Sequence, residues 1–275
     1  MKIETLNICD INKNLAHSKA VLTCYLNENS LEYCADRNRK AVIICPGGGY
    51  RMVSDREAAP VALAFLNEDV QAFVLTYSVA PVHYPEQLYE LAAAMAYVKS
   101  HYEQYNIQKD KVAVCGFSAG AHLAASLGTM WDVPHLFDTL HLNADACMPE
   151  VMMLCYPVIT SGEFAHRDSF NNLLGEDCDE ALVKYLSLEN RVTDTTRPCF
   201  IWHTFEDTCV PCYSSLYFAT ALKNHNVPFE LTIYESGPHG LSMCNASTAN
   251  GKDEALINSH DAKWFCQCME WWNAR

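Results

Sequence analysis

The sequence VAVCGFSAGAHLAAS, residues 112–126, changes character at its centre. The run VAVCGF is apolar and too short for a helix, so it predicts a buried β-strand, whereas AHLAASLG, which begins at residue 121, predicts an apolar helix. Ser118 stands between Gly116 and Gly120, where the chain passes from one to the other. Ligands of open parallel sheets bind beyond the carboxyl ends of the strands. We therefore expect Ser118 at the mouth of a binding site.

Five other short runs share the composition of VAVCGF, and each predicts a fully buried strand. They are AVIIC (41–45), AFVLTY (72–77), VMMLCY (151–156), CFIWHT (199–204) and FELTIYE (229–235). Between these runs lie segments whose apolar residues recur at helical spacing. Two such apolar faces are Leu88, Leu91, Ala92, Met95 and Val98, and Trp264, Phe265, Cys268, Met269 and Trp272. Strands that alternate with helices predict an α/β fold with a mostly parallel central sheet and helices on both faces.

The 275 residues suit one large α/β domain or two small ones, and we predict a single domain over residues 1–275. Two early segments, LNICDI (6–11) and AVLTCYL (20–26), predict an antiparallel pair that leads into the sheet. The polar segment 157–197 separates two predicted strands by more than an ordinary crossover and contains a helical run, DEALVKYL (179–186). It is either an ordinary excursion or a small cap over the site.

Composition and charge limit the class of partner. Half of the residues are hydrophobic, which excludes a disordered chain. The formal charge of −14, from 19 basic and 33 acidic residues, repels nucleic acid and anionic membranes. We therefore predict a neutral or weakly charged small molecule as the partner, with no nucleic acid and no membrane. Nothing in the sequence indicates an oligomeric state.

The chain lacks the signals of export and of membrane insertion. No segment approaches the roughly 20 apolar residues that span a bilayer, and the opening MKIETLNICDINKNLAHS lacks the apolar block of a secretory signal. These features predict a cytoplasmic protein, in which the fourteen cysteines stay reduced. Cys209 and Cys212 form a CxxC motif, but no second pair completes four ligands, so we predict no metal site.

Ser118 lies in a GxSxG motif whose glycines have a mechanical purpose. A serine at a sharp strand-to-helix turn lifts its hydroxyl clear of the sheet, and side chains at Gly116 or Gly120 would collide with the neighbouring backbone. The motif alone also arises from simple packing of small residues. The strand before it and the helix after it favour a nucleophile. A serine hydroxyl reacts only with the help of a base and of a third group that orients the base.

Candidates for the base and the acid follow later strands. FEDTCVP after CFIWHT offers Glu206 and Asp207, and SGPHGLS after FELTIYE offers His239. The order serine, acid, histidine is that of an α/β hydrolase. Either carboxylate suits an imidazole, but Asp207, followed by Val210 and Pro211, fits an acid loop better. His203 lies on the strand itself and is predicted to support this loop.

The strand AVIIC ends in PGGGY, residues 46–50. This glycine run lacks both GxGxxG and the GK[ST] ending, which argues against a phosphate cradle. It is either a flexible turn or a set of backbone amides directed at one point. Together with the amide that follows a serine nucleophile, such amides stabilise the oxyanion of acyl transfer. The predicted donors are Gly48, Gly49 and Ala119.

In combination, these motifs resemble the α/β hydrolase esterases, and within them the branch of microbial acetyl esterases that deacetylate xylan fragments. The resemblance extends over most of the chain, in the order CPGGGY, SDREAAPVALAF, LTYSVAP, YPEQLYELAAAMAYV, VCGFSAGAHLAASLG, HTFEDTCVP and GPHG. It implies Ser118 as nucleophile, Asp207 as acid and His239 as base, with Gly48, Gly49 and Ala119 as oxyanion donors. Relatives similar to hormone-sensitive lipase carry HGGG, and Pro46 in place of that histidine points to the carbohydrate esterase branch.

The resemblance implies an α/β-hydrolase fold and a serine carboxylic ester hydrolase that needs no cofactor and removes acetyl groups from xylan-type oligosaccharides or similar short-chain esters. Two alternatives remain: a serine peptidase related to prolyl oligopeptidase, and a non-catalytic binding protein on a hydrolase scaffold. Tyr50, Trp131 and Trp202 are either part of the core or a surface on which sugars stack.

Overall fold

A computed structural model of the protein describes residues 1–32, 34–251 and 253–275. Within these residues, eight strands form one sheet. They are β1 (Lys2–Asn7), β2 (Val21–Leu26), β3 (Arg39–Cys45), β4 (Gln71–Thr76), β5 (Ile107–Phe117), β6 (Met152–Cys155), β7 (Cys199–Thr204) and β8 (Phe229–Tyr234). Their order in space is β1-β2-β4-β3-β5-β6-β7-β8.

Helices of very different length connect these strands. The helices are α1 (Ile8–Ile11), α2 (Ala59–Asn67), α3 (Glu86–Ser100), α4 (Ala119–Met130), α5 (Ala144–Cys147), α6 (Arg167–Leu174), α7 (Glu180–Tyr185), α8 (Tyr213–Asn224) and α9 (Lys263–Asn273). Short 3₁₀ turns occur at Lys13–Leu15, Asp55–Glu57, Asp138–Leu140, Leu188–Asn190 and Glu254–Leu256. None of the helices in the described ranges has the length and apolar character to cross a membrane.

The core lies in two layers, one on each face of the sheet. Along β3, Ile43 packs into the cluster that contains α3, α4 and α8, whereas Val42 and Ile44 pack into the cluster that contains α2 and α9. Because successive side chains of a strand point to opposite faces, a strand covered on both faces has no polar positions. The unbroken apolar runs of the sequence therefore become the central strands.

The predicted α/β-hydrolase architecture is confirmed, with helices on both faces of a mostly parallel sheet. The strand β7 has the predicted bounds, and β3, β4, β6 and β8 differ from them by one or two residues. By contrast, β5 begins at Ile107, five residues before the predicted start at Val112. The residues Gln108 to Asp110 are exposed, so this part of the strand has no hydrophobic signal.

The predicted antiparallel pair exists, as β1 and β2, but the bounds of its first strand were wrong. LNICDI is not a strand over its length, because Ile8–Ile11 forms a helical turn and the strand precedes it, at Lys2–Asn7. The first strand is the edge of the sheet, and none of its six residues is buried. An edge strand with little apolar burial leaves a weak pattern in the sequence.

The carboxyl ends of the parallel strands meet at one edge of the sheet. Cys45 of β3 pairs with Gly116 of β5, and Phe117 pairs with Cys155 of β6. The chain runs from β3 to β4 on one side and then returns to place β5 on the other, which makes a topological switch point. Loops that follow the ends of β3 and β5 are therefore neighbours, and a crevice is expected between them.

Candidate active site

Ser118 occupies a strained turn between β5 and α4. Its backbone has φ 53° and ψ −118°, a conformation that L residues rarely adopt. A methyl group on Gly116 would lie 2.3 Å from the carbonyl oxygen of Gly120, and one on Gly120 would lie 2.1 Å from that of Cys45. Both glycines of the GxSxG motif are therefore needed so that the helix can approach the two strands.

The glycine loop that follows β3 lies directly beside this turn. A methyl group on Gly47 would lie 3.0 Å from Cβ of Ser118. Gly48 has φ 129° and Gly49 has φ 64°, in the region of backbone space that favours glycine. The amides of Gly48, Gly49 and Ala119 donate no hydrogen bond to any residue that the structure describes. Gly48 and Gly49 line the same cavity as Ser118, and Ala119 begins the helix next to it.

Three side chains from distant parts of the chain form a continuous hydrogen-bonded row. Nε2 of His239 lies 2.7 Å from Oγ of Ser118, and Nδ1 of His239 lies 2.6 Å from Oδ2 of Asp207. A carboxylate only accepts, so Nδ1 carries the proton and Nε2 accepts from the serine hydroxyl. This tautomer is the one that general-base catalysis by His239 requires.

Asp207 is held in its loop by four hydrogen bonds. Its Oδ1 accepts from the amides of Cys209 and Val210, at 3.0 and 2.9 Å, and its Oδ2 accepts from His239 and, at 3.2 Å, from His203. Burial alone would raise the pKa of the Asp207 carboxyl, but the hydrogen bonds from His203 and His239, the charge of His239 and the amide of Val210 together outweigh burial and hold the pKa well below its ordinary value. The carboxyl is therefore ionised at neutral pH.

The neighbouring carboxylate, Glu206, does not reach the histidine. It is exposed, and its Oε2 accepts a hydrogen bond from the amide of Gly237 at 3.2 Å. His203, by contrast, is fully buried, and its Nε2 lies 2.8 Å from the carbonyl oxygen of Val210. Its Nδ1 accepts from the hydroxyl of Ser215 at 2.8 Å. His203 thus ties the acid loop to β7 and to α8, as the sequence predicts.

Sequence reasoning missed two buried residues of the site, Glu57 and Tyr156. Oε2 of Glu57 accepts from the amide of Gly47 at 2.7 Å, and its Oε1 accepts from the hydroxyl of Tyr156 at 2.6 Å. Tyr156 follows β6 at the same sheet edge, with its ring centroid 5.1 Å from that of His239. Tyr156 is the last residue of the predicted strand VMMLCY, and its hydroxyl at the carboxyl end of that strand was the available signal. Glu57 lies between predicted elements, and only the segment SDREAAPVALAF pointed to it.

A cavity of about 530 Å³ opens beside Ser118 and His239. Its lining is mixed: Met52 contributes apolar surface, and the polar residues away from the glycine loop include Arg51, Ser54, Asp168, Asn171, Asn172 and Glu176. The last four belong to the segment 157–197, which therefore forms one wall of the cavity. This wall is polar and offers hydrogen bonds to a hydroxylated ligand.

Two other sequence hypotheses concern three aromatic residues and the cysteines, of which Cys209 lines this cavity. Tyr50 and Trp202 are buried in the core, and Nε1 of Trp131 donates to the carbonyl oxygen of Thr195, so none of these three lines the cavity. All fourteen cysteines are free thiols. Within the described parts of the chain, no cluster of three or more His, Cys, Asp or Glu side chains has the arrangement of a metal site.

Comparison with known protein families gives one match that covers most of the chain. The family model described as BD-FAE matches residues 30–222. This range contains the glycine loop, Ser118 and Asp207, and it ends before His239.

Among curated proteins, the chain is 36% identical over 222 residues to endo-1,4-beta-xylanase B of Butyrivibrio fibrisolvens, with 78% of this chain covered. It is 28% identical over 245 residues to an acetylxylan esterase of Xylanibacter ruminicola, with 87% of this chain covered. The aligned part is 34% of the first protein and 46% of the second, so the chain spans less than half the length of these relatives.

Solved structures resemble the chain over nearly its whole length. The acetyl ester-xyloside bifunctional hydrolase of Caldicellulosiruptor lactoaceticus superposes with a TM-score of 0.80 at 36% identity, over 93% of this chain and 88% of that one. A carboxylesterase of Lactobacillus plantarum WCFS1 superposes with a TM-score of 0.84 at 25% identity, over 100% of this chain and 98% of that one. All the elements that carry the site are thus shared at the level of the fold.

Proposed function

Because the chain belongs to the BD-FAE family, an α/β hydrolase esterase family, we propose that it is a serine carboxylic ester hydrolase of the acetyl esterase type. The observation that supports this most strongly is the row formed by Ser118, His239 and Asp207, which lies beside two glycine amides, those of Gly48 and Gly49, that donate to no residue the structure describes. A hydrolase needs each of these parts, and a protein that only binds a ligand needs none of them.

The proposed reaction has two steps that use the same groups. In the first, His239 takes the proton of Ser118 as its oxygen attacks the ester carbonyl, and Asp207 stabilises the imidazolium. The amides of Gly48, Gly49 and Ala119 donate to the oxyanion. His239 then protonates the leaving alcohol, which leaves an acyl group on the serine. In the second step water attacks the acyl-enzyme by the same route and releases the acid.

We further propose that the substrate is an acetylated oligosaccharide of the xylan type. Support comes from the polar cavity wall, which suits a hydroxylated alcohol, and from the names of the relatives, which include an acetylxylan esterase and an acetyl ester-xyloside hydrolase. The excess of 33 acidic over 19 basic residues agrees with an uncharged substrate. A cytoplasmic location stays a prediction, as does the single domain.

The experiment that tests the activity compares three classes of substrate under one set of conditions. Acetylated xylo-oligosaccharides, p-nitrophenyl esters of increasing acyl length, and proline-containing peptide amides are supplied to the purified chain. We expect acetyl esters to be hydrolysed fastest, with the sugar acetates at the highest kcat/KM. Faster cleavage of the amides would favour the peptidase alternative, and a preference for long acyl chains would exclude the acetyl esterase assignment.

A further inference from the structure

One buried carboxylate connects two loops that carry separate parts of the site. Glu57, at the end of the 3₁₀ turn Asp55–Glu57, is 4% exposed. Its two oxygens have different partners: Oε2 accepts from the amide of Gly47, and Oε1 accepts from the hydroxyl of Tyr156. Gly47 belongs to the glycine loop, and Tyr156 follows β6, so the carboxylate bridges elements that the backbone leaves unconnected.

The first contact places Glu57 at the base of the glycine loop. A methyl group on Gly47 would lie 2.8 Å from Oε2 of Glu57 and 3.0 Å from Cβ of Ser118, so the carboxylate and the serine flank one Cα atom. The carbonyl oxygen of Gly47 accepts from the amide of Ser54 at 3.0 Å, which closes the loop back onto the turn that carries Glu57. The two hydrogen bonds of Gly47, from its amide to Glu57 and from the Ser54 amide to its carbonyl oxygen, therefore fix the orientation of the next peptide units, those of Gly48 and Gly49.

The second contact reaches the loop that carries the histidine. The hydroxyl of Tyr156 donates to Glu57 and accepts from the amide of Ser242, at 2.8 Å, three residues after His239. The ring of Tyr156 lies edge-on to the ring of His239, at an angle of 73°. Ser242 in turn donates its hydroxyl to the carbonyl oxygen of Arg56, next to Glu57, at 2.7 Å. Tyr156 and the backbone carbonyl of Arg56 thus hold the histidine loop from two sides, and Glu57 is joined to both, by a hydrogen bond to Tyr156 and by the chain to Arg56.

We propose that Glu57 is a positioning residue that, together with Tyr156, holds the glycine loop and the histidine loop in one fixed geometry around Ser118. The inference rests on the proposed function for the roles of the two loops. A buried carboxylate that accepts two hydrogen bonds is a strong anchor, because its bonds are charge-assisted and few alternative partners are near. Donors and bases act only when they are placed within a fraction of an ångström of the reacting atoms, and a misplacement of about 1 Å costs on the order of a hundredfold in rate.

The test uses Glu57→Gln and Tyr156→Phe, with two readouts. The first is the rate at which a fluorophosphonate labels Ser118. In this reaction the serine oxygen bonds to phosphorus, the proton passes to His239, and the phosphorus–fluorine bond breaks to release fluoride. The phosphoryl oxygen takes the place of the oxyanion, so the rate reports the glycine loop and the histidine without any assumption about the natural ester. The second readout is kcat and KM for p-nitrophenyl acetate.

We expect both variants to label about tenfold to a hundredfold more slowly than wild type, because each leaves a donor of one loop badly paired. In Glu57→Gln the side-chain nitrogen is a donor, and it faces either the amide of Gly47 or the hydroxyl of Tyr156, which also donate. One of the two hydrogen bonds is therefore lost. For p-nitrophenyl acetate kcat should fall by the same factor, with KM within about threefold of wild type. The double variant should be no slower than the slower single variant, because the two residues act as one unit.

Two matched controls separate positioning from general stability. Glu90 is another fully buried carboxylate, which accepts from the hydroxyl of Ser18 and from the amide and hydroxyl of Ser78, remote from the cavity. Tyr234 is another buried tyrosine at a strand end, and its hydroxyl donates to Gln267 at 2.7 Å. Glu90→Gln and Tyr234→Phe should lower Tm as much as the test variants do and should keep wild-type labelling rates.

The outcomes distinguish this inference from the proposed function. Slow labelling in both test variants, with fast labelling in both controls, supports the positioning role even if no acetyl ester is hydrolysed. Labelling of the folded test variants within twofold of wild type overturns it, as does a loss of rate that the controls share. If Ser118 of the wild-type chain is not labelled at all, the catalytic site itself is absent, and both proposals fall.

Discussion

Nε2 of His239 lies 2.7 Å from Oγ of Ser118, although 121 positions of the chain separate the two residues. Ser118 follows β5 and His239 follows β8, with β6 and β7 between these strands in the sheet. The loop that follows β8 therefore turns back over the sheet edge. The buried ring of Tyr156, which follows β6, packs against the imidazole, with its centroid 5.1 Å from that of His239.

Replacement of the nucleophile is the most direct check of this relationship. Ser118→Ala should lower kcat for p-nitrophenyl acetate by about 10⁵ to 10⁶ and leave the fold intact, because the base then has no proton to remove. Ser126 provides a control on α4, the helix that follows Ser118: it is buried, and its hydroxyl donates to the carbonyl oxygen of His122. Ser126→Ala should keep kcat within about threefold of wild type. Equal activity of the two variants would refute the assignment of Ser118.

The two adjacent carboxylates of the acid loop should differ sharply. Asp207→Asn removes the acceptor that holds the proton on Nδ1 of His239, so the wrong tautomer forms and kcat should fall by about 10⁴. Glu206→Gln alters an exposed side chain whose hydrogen bond goes to Gly237, and kcat should change by less than about threefold. Steady-state kinetics of the two variants provide the comparison. A larger loss in Glu206→Gln would mean that the acid has been misassigned.

The tight turn at the serine should tolerate no side chain at Gly120. In Gly120→Ala the new methyl group would lie 2.1 Å from the carbonyl oxygen of Cys45, which is backbone and has no room to move. We expect the free energy of unfolding to fall by about 3 kcal/mol or more, measured by urea denaturation. Among the residues that the structure describes, apart from the chain neighbours, none has an atom within 4 Å of the same position on Gly251, so Gly251→Ala should change stability by less than about 0.5 kcal/mol. Similar stability of both variants would contradict the close approach of helix and strand.

Stability should fall on acidification because of one buried histidine, His122. Burial lowers its pKa from 6.5 to about 4, against the opposing effect of its hydrogen bond to the carbonyl oxygen of Leu186. Between these two pH values the unfolded chain binds a proton that the folded chain does not. The contribution of neutral His122 to the free energy of unfolding is complete above pH 6.5. It declines as the pH falls towards 4, by about 1.4 kcal/mol per pH unit for the one proton.

Urea denaturation at several pH values between 7 and 4 measures this slope. His122→Gln should lower the slope of the unfolding free energy against pH by about 1.4 kcal/mol per pH unit, the effect of one proton. If His122→Gln retains the full wild-type slope, then this histidine takes up its proton in the folded chain as readily as in the unfolded one.

The central strands could be predicted because burial on both faces leaves an unbroken apolar run, as in AVIIC. Strand segments that face solvent had no such pattern. For this reason β1 was placed too late in the chain, and the first five residues of β5 were missed. A strand leaves an apolar pattern in the sequence only where its side chains are buried. Exposed edges are therefore the least predictable parts of a sheet.

Parts of the site followed from the same logic. Ser118, the glycine loop and His239 each come directly after a predicted strand, and parallel strands bring such positions to one edge. Spacing along the chain provided weaker grounds for choosing between Glu206 and Asp207, because the two residues are adjacent and chemically alike. The tertiary structure places one side chain in a buried set of four donors and leaves the other in solvent.

The sequence by itself therefore determined the order and type of the main elements and the residues at the rim of the sheet, because those depend on local apolar runs and on glycine turns. Only the tertiary structure decided which polar side chains meet. Glu57 contacts Tyr156 across 99 positions, and Tyr156 contacts Ser242 across 86. Such contacts arise from the packing of loops against one another, and no short-range pattern in the chain encodes them.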